Sequence, residues 1–270
     1  MRLLLIAHGS RDPRYAASFE TLCARLRQAG HQAEVGYLGL CGPDVIEAAA
    51  RLAREIPGPC GEPIAAVPLF LNHGYHVAQD VPAAVATARA VLVSRASIAV
   101  SAPLGPDPLL TEALESRLRE LGVWPGDPDT AVVLASAGTS DRAARATLDA
   151  LAARWAETGW HRVLPAYAAA AEPDSAQAVA EARAAGARNV VIAGYFLAPG
   201  LLADRVATGA PGVPMGAPLI TPEDVDPALL RLVLRRAGEA LAAFEPMHAG
   251  GGKAAHAARP ARRRPLRTAR

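Results

Sequence analysis

Leu5-Ile-Ala-His-Gly-Ser-Arg-Asp12 and Leu134-Ala-Ser-Ala-Gly-Thr-Ser-Asp141 are two versions of one segment, 129 residues apart. The helices that follow keep the match. Phe19, Leu22, Cys23 and Leu26 align with Leu148, Leu151, Ala152 and Trp155, and the i, i+3, i+4, i+7 spacing is the buried stripe of an amphipathic helix. Further on, Tyr37 and Pro43-Asp44 match Tyr167 and Pro173-Asp174. Phe70-Leu71 and Gly74 match Phe196-Leu197 and Gly200. Ala102-Pro-Leu104 matches Ala217-Pro-Leu219. The order never breaks and the offset drifts only where loops change length, which marks an internal repeat.

Each copy alternates short apolar strands with helices. The first copy predicts strands near 2–7, 33–38, 63–70 and 97–101, and helices near 13–29, 44–55, 80–92 and 107–121. Asp12-Pro13 is a helix start, with Asp as N-cap and Pro in the first turn. The second predicts strands near 130–135, 162–167, 189–196 and 212–216, and helices near 141–157, 174–185 and 227–243. This pattern implies an α/β fold of two similar lobes, each a parallel sheet flanked by helices. The lobes are expected over 1–121 and 130–245, each with its own core. Gly122 to Thr130 forms the linker, and a disordered basic tail spans 246–270.

Charge is uneven. Residues 248–270 hold Lys253, Arg259, Arg262, Arg263, Arg264, Arg267 and Arg270 and no acid. The rest of the chain has 21 basic and 26 acidic side chains, a balance that argues against nucleic acid as a partner. Three cysteines (Cys23, Cys41, Cys60) without a CxxC argue against a disulfide framework or a structural zinc. No apolar run approaches the roughly 18 residues that span a membrane. Residues 2–7 are too short for a signal peptide, so the expectation is a cytoplasmic protein with no membrane partner.

Ligands of open parallel sheets bind outside the carboxyl ends of the strands. His8-Gly-Ser-Arg-Asp12 follows the first strand, and Leu71-Asn-His-Gly-Tyr-His76 follows the third, with Asp80 four residues on. Three of the seven histidines lie in these two loops. Neutral imidazole binds divalent first-row metals and accepts protons near neutral pH. The site is therefore expected at His8 and His76, with His73 as a second ligand or a solvent-facing neighbour. Asp80 either orients His76 or caps the next helix. Ser10, Arg11, Arg14 and Tyr75 are the candidate substrate contacts, the arginines standing at a helix start that favours anions. In the second copy Ala137 replaces His8, and Pro199 and Leu202 replace His73 and His76. A lobe that keeps its frame and loses its polar groups reads as a structural partner that closes the cleft.

Leu4-Leu-Ile-Ala-His-Gly-Ser-Arg-Asp12, Pro68-Leu-Phe-Leu-Asn-His-Gly-Tyr-His-Val77 with Asp80-Val-Pro82, and Ala102-Pro-Leu-Gly105 together resemble the sirohydrochlorin chelatases, the small class II tetrapyrrole chelatases. The resemblance covers roughly residues 3–243 and implies two chelatase-like lobes, the second degenerate, acting as an internal pseudo-dimer. It implies insertion of Fe²⁺ into sirohydrochlorin for siroheme, or of Co²⁺ for cobalamin, without ATP. It also makes His8 and His76 the metal-binding and catalytic pair. The metal is then a substrate beside the tetrapyrrole, and no permanent cofactor is needed. Ferrochelatase is the first expectation and cobaltochelatase the alternative. A non-catalytic metal or tetrapyrrole binder is a different class. A phosphoryl-transfer hydrolase using His8 as nucleophile would want more arginines than Arg11 and Arg14 at these loops.

Two positions depart from the family pattern. Gly39 stands where members often carry an acid, with Glu34 and Asp44 nearby, and His73 stands where a small residue is usual.

A Gly/Ala/Arg tail has little to bury. Truncation after residue 246 is expected to leave turnover and melting temperature nearly unchanged. Scanning calorimetry showing a loss of more than about 5 °C would mean that the segment docks on the body.

Overall fold

A computed structural model describes residues 1–56, 63–72, 74, 76–92 and 95–244, apart from the His76 side chain. His73, Tyr75 and the expected tail at 246–270 lie outside the described residues.

The first run of elements is β1 (Arg2–Ala7), α1 (Pro13–Gln28), β2 (Gln32–Tyr37), α2 (Val45–Arg54) and β3 (Ile64–Pro68). A π-helical turn (His76–Asp80) follows, then α3 (Val81–Leu92), β4 (Ile98–Val100) and α4 (Pro108–Arg119). The second run is β5 (Thr130–Ser136), α5 (Arg142–Ala156), β6 (Arg162–Tyr167), α6 (Ser175–Ala184), β7 (Asn189–Gly194), α7 (Leu201–Gly209) and α8 (Pro227–Ala242). The strands form two parallel sheets, ordered β2-β1-β3-β4 and β6-β5-β7. The central strands β1 and β5 bury both faces, which is why they read as unbroken apolar runs.

The repeat extends to backbone detail. Asp12 and Asp141 cap α1 and α5 by accepting from the amides two residues on. Asp44 with Glu47 and Asp174 with Gln177 form capping boxes on α2 and α6. Gly9 and Gly138 both adopt positive φ, 95° and 87°. A Cβ at either would stand 1.8 Å from a carbonyl oxygen of the neighbouring loop, that of Gly39 or Ala169. Only glycine lets these loops cross so closely.

Two expectations are corrected. Residues 212–216 form no strand; Met215 makes a single parallel bridge to Ile192. Residues 201–209, for which the sequence names no element, form α7. This helix buries only Ala203 and Val206 and has no side-chain N-cap, so its sequence carries neither a start signal nor a wide apolar stripe.

The cores also differ from two separate ones. Leu3, Leu5 and Ala7 on one face of β1 join Val132 and Leu134 of β5 in a single cluster with α1, α4, α5 and α8. Leu4 and Ile6 face the opposite way, onto α2 and α3. Val133 and Ala135 likewise face α6 and α7. The result is five layers with a shared middle. Each lobe's last helix belongs to this shared layer: α8 packs on β3 and β4, and α4 packs on β7.

Gly138→Ala is expected to destabilise the protein by about 2–4 kcal/mol, combining the left-handed backbone penalty with a backbone clash. Urea unfolding checks this. A change below about 0.5 kcal/mol would show that the loop crossing is loose.

Candidate functional site

The carboxyl-end loops of the two sheets meet. Tyr195, just past β7, donates its hydroxyl to the carbonyl of Leu71, just past β3, at 3.1 Å. Arg14, in the first turn of α1, pairs with Asp204 in the first turn of α7 at 2.5 Å. Thr21 of α1 donates to the carbonyl of Pro222 at 2.7 Å. Both histidine-bearing loops sit on this shared edge, because β1 and β3 are hydrogen-bonded neighbours in register, Ile6 beside Pro68.

His8 is half-buried, with Nδ1 3.1 Å from the Gly9 carbonyl. The loop carrying it is shaped by short-range bonds. Ser10 Oγ accepts from the Asp12 amide at 3.1 Å, and Asp12 accepts from the Arg14 amide at 2.9 Å. Thr139 makes the same turn with the Asp141 amide, so the hydroxyl bond seen at Ser10 belongs to the repeated frame. Tyr15 has no such counterpart, since Ala144 takes its place. Its ring lies 4.8 Å from Phe19, and its hydroxyl lies beside the Gly9 and His8 backbone. Burial pushes that phenol up to about 12, which keeps it a neutral hydrogen-bonding group.

Arg11 is exposed. Arg14 already holds two carboxylates, those of Asp12 and Asp204. These bonds, Asp12's first, raise its guanidinium pKa, and the Arg14 side chain in turn holds the Asp12 carboxyl below its ordinary value of 3.8.

Residue 76 opens the π-helical turn that runs through Asp80 into α3. Pro82 explains the turn, because it has no amide to donate and a widened turn absorbs the missing bond. Asp80 therefore stands inside a continuous helical run, and the cap reading of Asp80 is corrected. It lies four residues past position 76, about one π turn. A cavity of about 280 Å³ opens beside this turn, lined by Val77, Val81, Pro82, Val85 and Val100 among others. A larger one of about 440 Å³ lies between the start of α4 and α5, and no residue of the two histidine loops lines it.

The neighbouring acids have structural partners. Glu34 pairs with Arg27 and Arg51, and Asp44 caps α2. Gly39 presses its carbonyl against Gly9, yet a side chain at 39 would enter open space. Among the described residues no group of three or more His, Cys, Asp or Glu gathers to hold a metal. In the second lobe, Ala137 and Leu202 pack against the outer core. His161 hydrogen-bonds the carbonyls of Pro128 and Ala185, a purely structural use of imidazole.

Sequence reasoning missed Tyr15, Tyr195 and Arg236. The last donates to the carbonyls of Pro103 and Leu104 and pairs with Asp107 at 3.1 Å. The signal available was the repeat itself: both tyrosines stand where the other copy has an apolar residue.

Two parallel sheets packed on one shared helical layer, with histidine loops at the carboxyl edge of the first, define a two-lobed α/β protein. The CbiX family model matches residues 2–121 and 131–210, and the chain belongs to that family. The sirohydrochlorin cobaltochelatase of Methanopyrus kandleri is 34% identical over 82 residues, 30% of this chain. That match spans about half of the relative's length, 54%. The sirohydrochlorin cobaltochelatase of Methanothermobacter thermautotrophicus is 27% identical over 132 residues, 43% of this chain and 90% of that one. In three dimensions, SirB from Bacillus subtilis, solved with Fe³⁺, superposes with a TM-score of 0.67 at 23% identity, covering 90% of this chain and 96% of that one. No described helix is long and apolar enough to cross a membrane.

The Asp12–Arg14 pair gives a pH prediction. The Asp12 pKa is lower folded than unfolded, so its contribution is complete above 3.8 and is lost as pH falls through the lowered value. Asp12→Asn keeps a capping side chain and removes the charge. Urea midpoints of wild type and variant should differ at pH 5–7 and converge toward pH 2. A difference unchanged by pH would refute the ion-pair account.

Proposed function

We propose that this protein inserts a divalent metal ion into sirohydrochlorin, with His8 and His76 as the metal-binding and proton-accepting pair. The observation that carries the reading is the placement of both loops at the carboxyl edge of adjacent strands in a CbiX-family chain. Metallation strips water from a cation and removes two pyrrole protons. Imidazoles serve both needs, and a cleft between lobes holds the macrocycle against them. Arg11 and Arg14, with Ser10 and Tyr75, are the candidate contacts for a polycarboxylate; substrate carboxylates would compete with Asp204 for Arg14. His73 is a further ligand candidate, and Asp80 a partner that orients position 76. The second lobe acts as scaffold, making the chain an internal pseudo-dimer of residues 1–121 and 130–245.

Two metals are in play. Siroheme formation with Fe²⁺ is the first reading. The names of both curated relatives favour Co²⁺ and a cobalamin route, and imidazole suits either ion.

The test is anaerobic incubation of sirohydrochlorin with Fe²⁺ or Co²⁺, followed by absorbance and corrected for the uncatalysed rate. His8→Ala and His76→Ala should each lower metallation at least about tenfold while the melting temperature holds. Full rate in both variants would refute the site. Tight binding of metal and ring without release of metallated product would favour a carrier.

A further inference from the structure

We propose that Tyr195, in the second lobe, is a positioning residue for the histidine loop of the first. It rests on the function proposed above for its catalytic consequence, and on geometry for its mechanical part. Tyr195 is 3% exposed, and its hydroxyl donates to the Leu71 carbonyl at 3.1 Å, 124 residues away in sequence. Leu71 opens the stretch that reaches residue 76 five positions later. The register between β1 and β3 ends at Pro68, so Leu71 stands beyond the strand pairing.

The surroundings hold the bond in place. The Tyr195 amide donates to the Ala135 carbonyl at 2.7 Å, so the ring stands on the extension of a central sheet. Gly105 closes the other side. Its amide donates to the Phe70 carbonyl at 3.1 Å. A Cβ at 105 would lie 2.1 Å from the Leu71 oxygen and 2.9 Å from the Tyr195 hydroxyl. The loop carrying Gly105 is in turn tied to α8 by Arg236. Burial raises the Tyr195 phenol above its ordinary range, so the hydroxyl stays a donor at working pH.

The repeat shows that the hydroxyl is not required by the frame. At the matching position of the first lobe, Leu69 is equally buried in the same cluster. A leucine suffices for packing, so the phenol adds one thing, a directed bond to the stem of the histidine loop. The second lobe has lost its own histidines and contributes this fixed point instead.

Tyr195→Phe keeps the ring and removes the bond. Amide hydrogen exchange of residues 71–80 should speed up about five- to tenfold in the variant, with the strands unchanged. Metallation should show kcat reduced about tenfold with KM for the tetrapyrrole unchanged, because the cleft walls stay intact. Gly105→Ala, which presses on the same carbonyl, should give the same local exchange signature. Unchanged exchange in 71–80, exchange raised evenly over the whole chain, or an unchanged kcat would each overturn the assignment. If wild type itself fails to metallate, the proposed function falls, and the anchor is then decided by the exchange data alone: local acceleration supports it and its absence overturns it.

Discussion

Two arginines that cross between the lobes hold this molecule in one shape. Arg117 on α4 is nearly buried and donates to the Leu219 carbonyl of the second lobe, pairing also with Asp224. Arg236 on α8 does the reciprocal thing, donating to the Leu104 carbonyl of the first lobe and pairing with Asp107. Leu104 and Leu219 are matching residues of the repeat, so the pair of contacts approximates a two-fold axis. Such bonds are costly to break from one side. Asp107 is 8% exposed, and a buried carboxylate stripped of its cations costs about 3–5 kcal/mol. The exchanged helices and their arginines therefore fix how the carboxyl edges meet, and the loops at those edges inherit that geometry.

Duplication then separates frame from chemistry. What both copies keep has a mechanical reason: the capping aspartates, the capping boxes, the crossing glycines Gly9 and Gly138, and the hydroxyl turns at Ser10 and Thr139. Several residues that only one copy has lie at the shared edge. His8 and Tyr15 are absent from the second lobe; Tyr195 is absent from the first. Arg14 has an alanine, Ala143, as its counterpart, yet it bridges to Asp204 across the lobes. His8, Arg14, Tyr15 and Tyr195 converge on one rim, which is where a site built once on a doubled frame would leave its trace.

Much of this was legible in the sequence, and the gaps have physical causes. β1, β5 and the helices with wide apolar stripes were readable because burial on a known period shows in residue type. α7 was not, because two buried residues between Gly200 and Gly209 leave no period to read. The strand expected at 212–216 shrinks to one bridge, because only Pro214 and Gly216, on either side of Met215, bond to Ile192. The shared core was invisible for a different reason: the apolar stripe of α8 records that it packs, and says nothing about which sheet it packs on. Of the site, the loops and their edge could be placed from strand order. The anchors could not, since Tyr195 and Leu71 are brought together only by the lobe arrangement.

That arrangement answers a problem set by the proposed chemistry. Neighbouring strands lie about 4.8 Å apart, so the loops after β1 and β3 begin side by side. Two imidazoles on one ion each place a nitrogen about 2 Å from it, which leaves little room for error. Yet the sheet stops helping where pairing ends, at Ala7 and Pro68, and the histidines stand one and eight residues beyond. Precision at those positions must come from elsewhere. For the first loop it comes from within the lobe, through the Asp12 cap and Tyr15. For the second it comes from Tyr195 and the Arg236 tie across the interface, together with Gly105 of the first lobe itself. A lobe that lacks counterparts of His8 and His76 is thus no spare part: its fixed phenol supplies what the first sheet cannot extend far enough to provide.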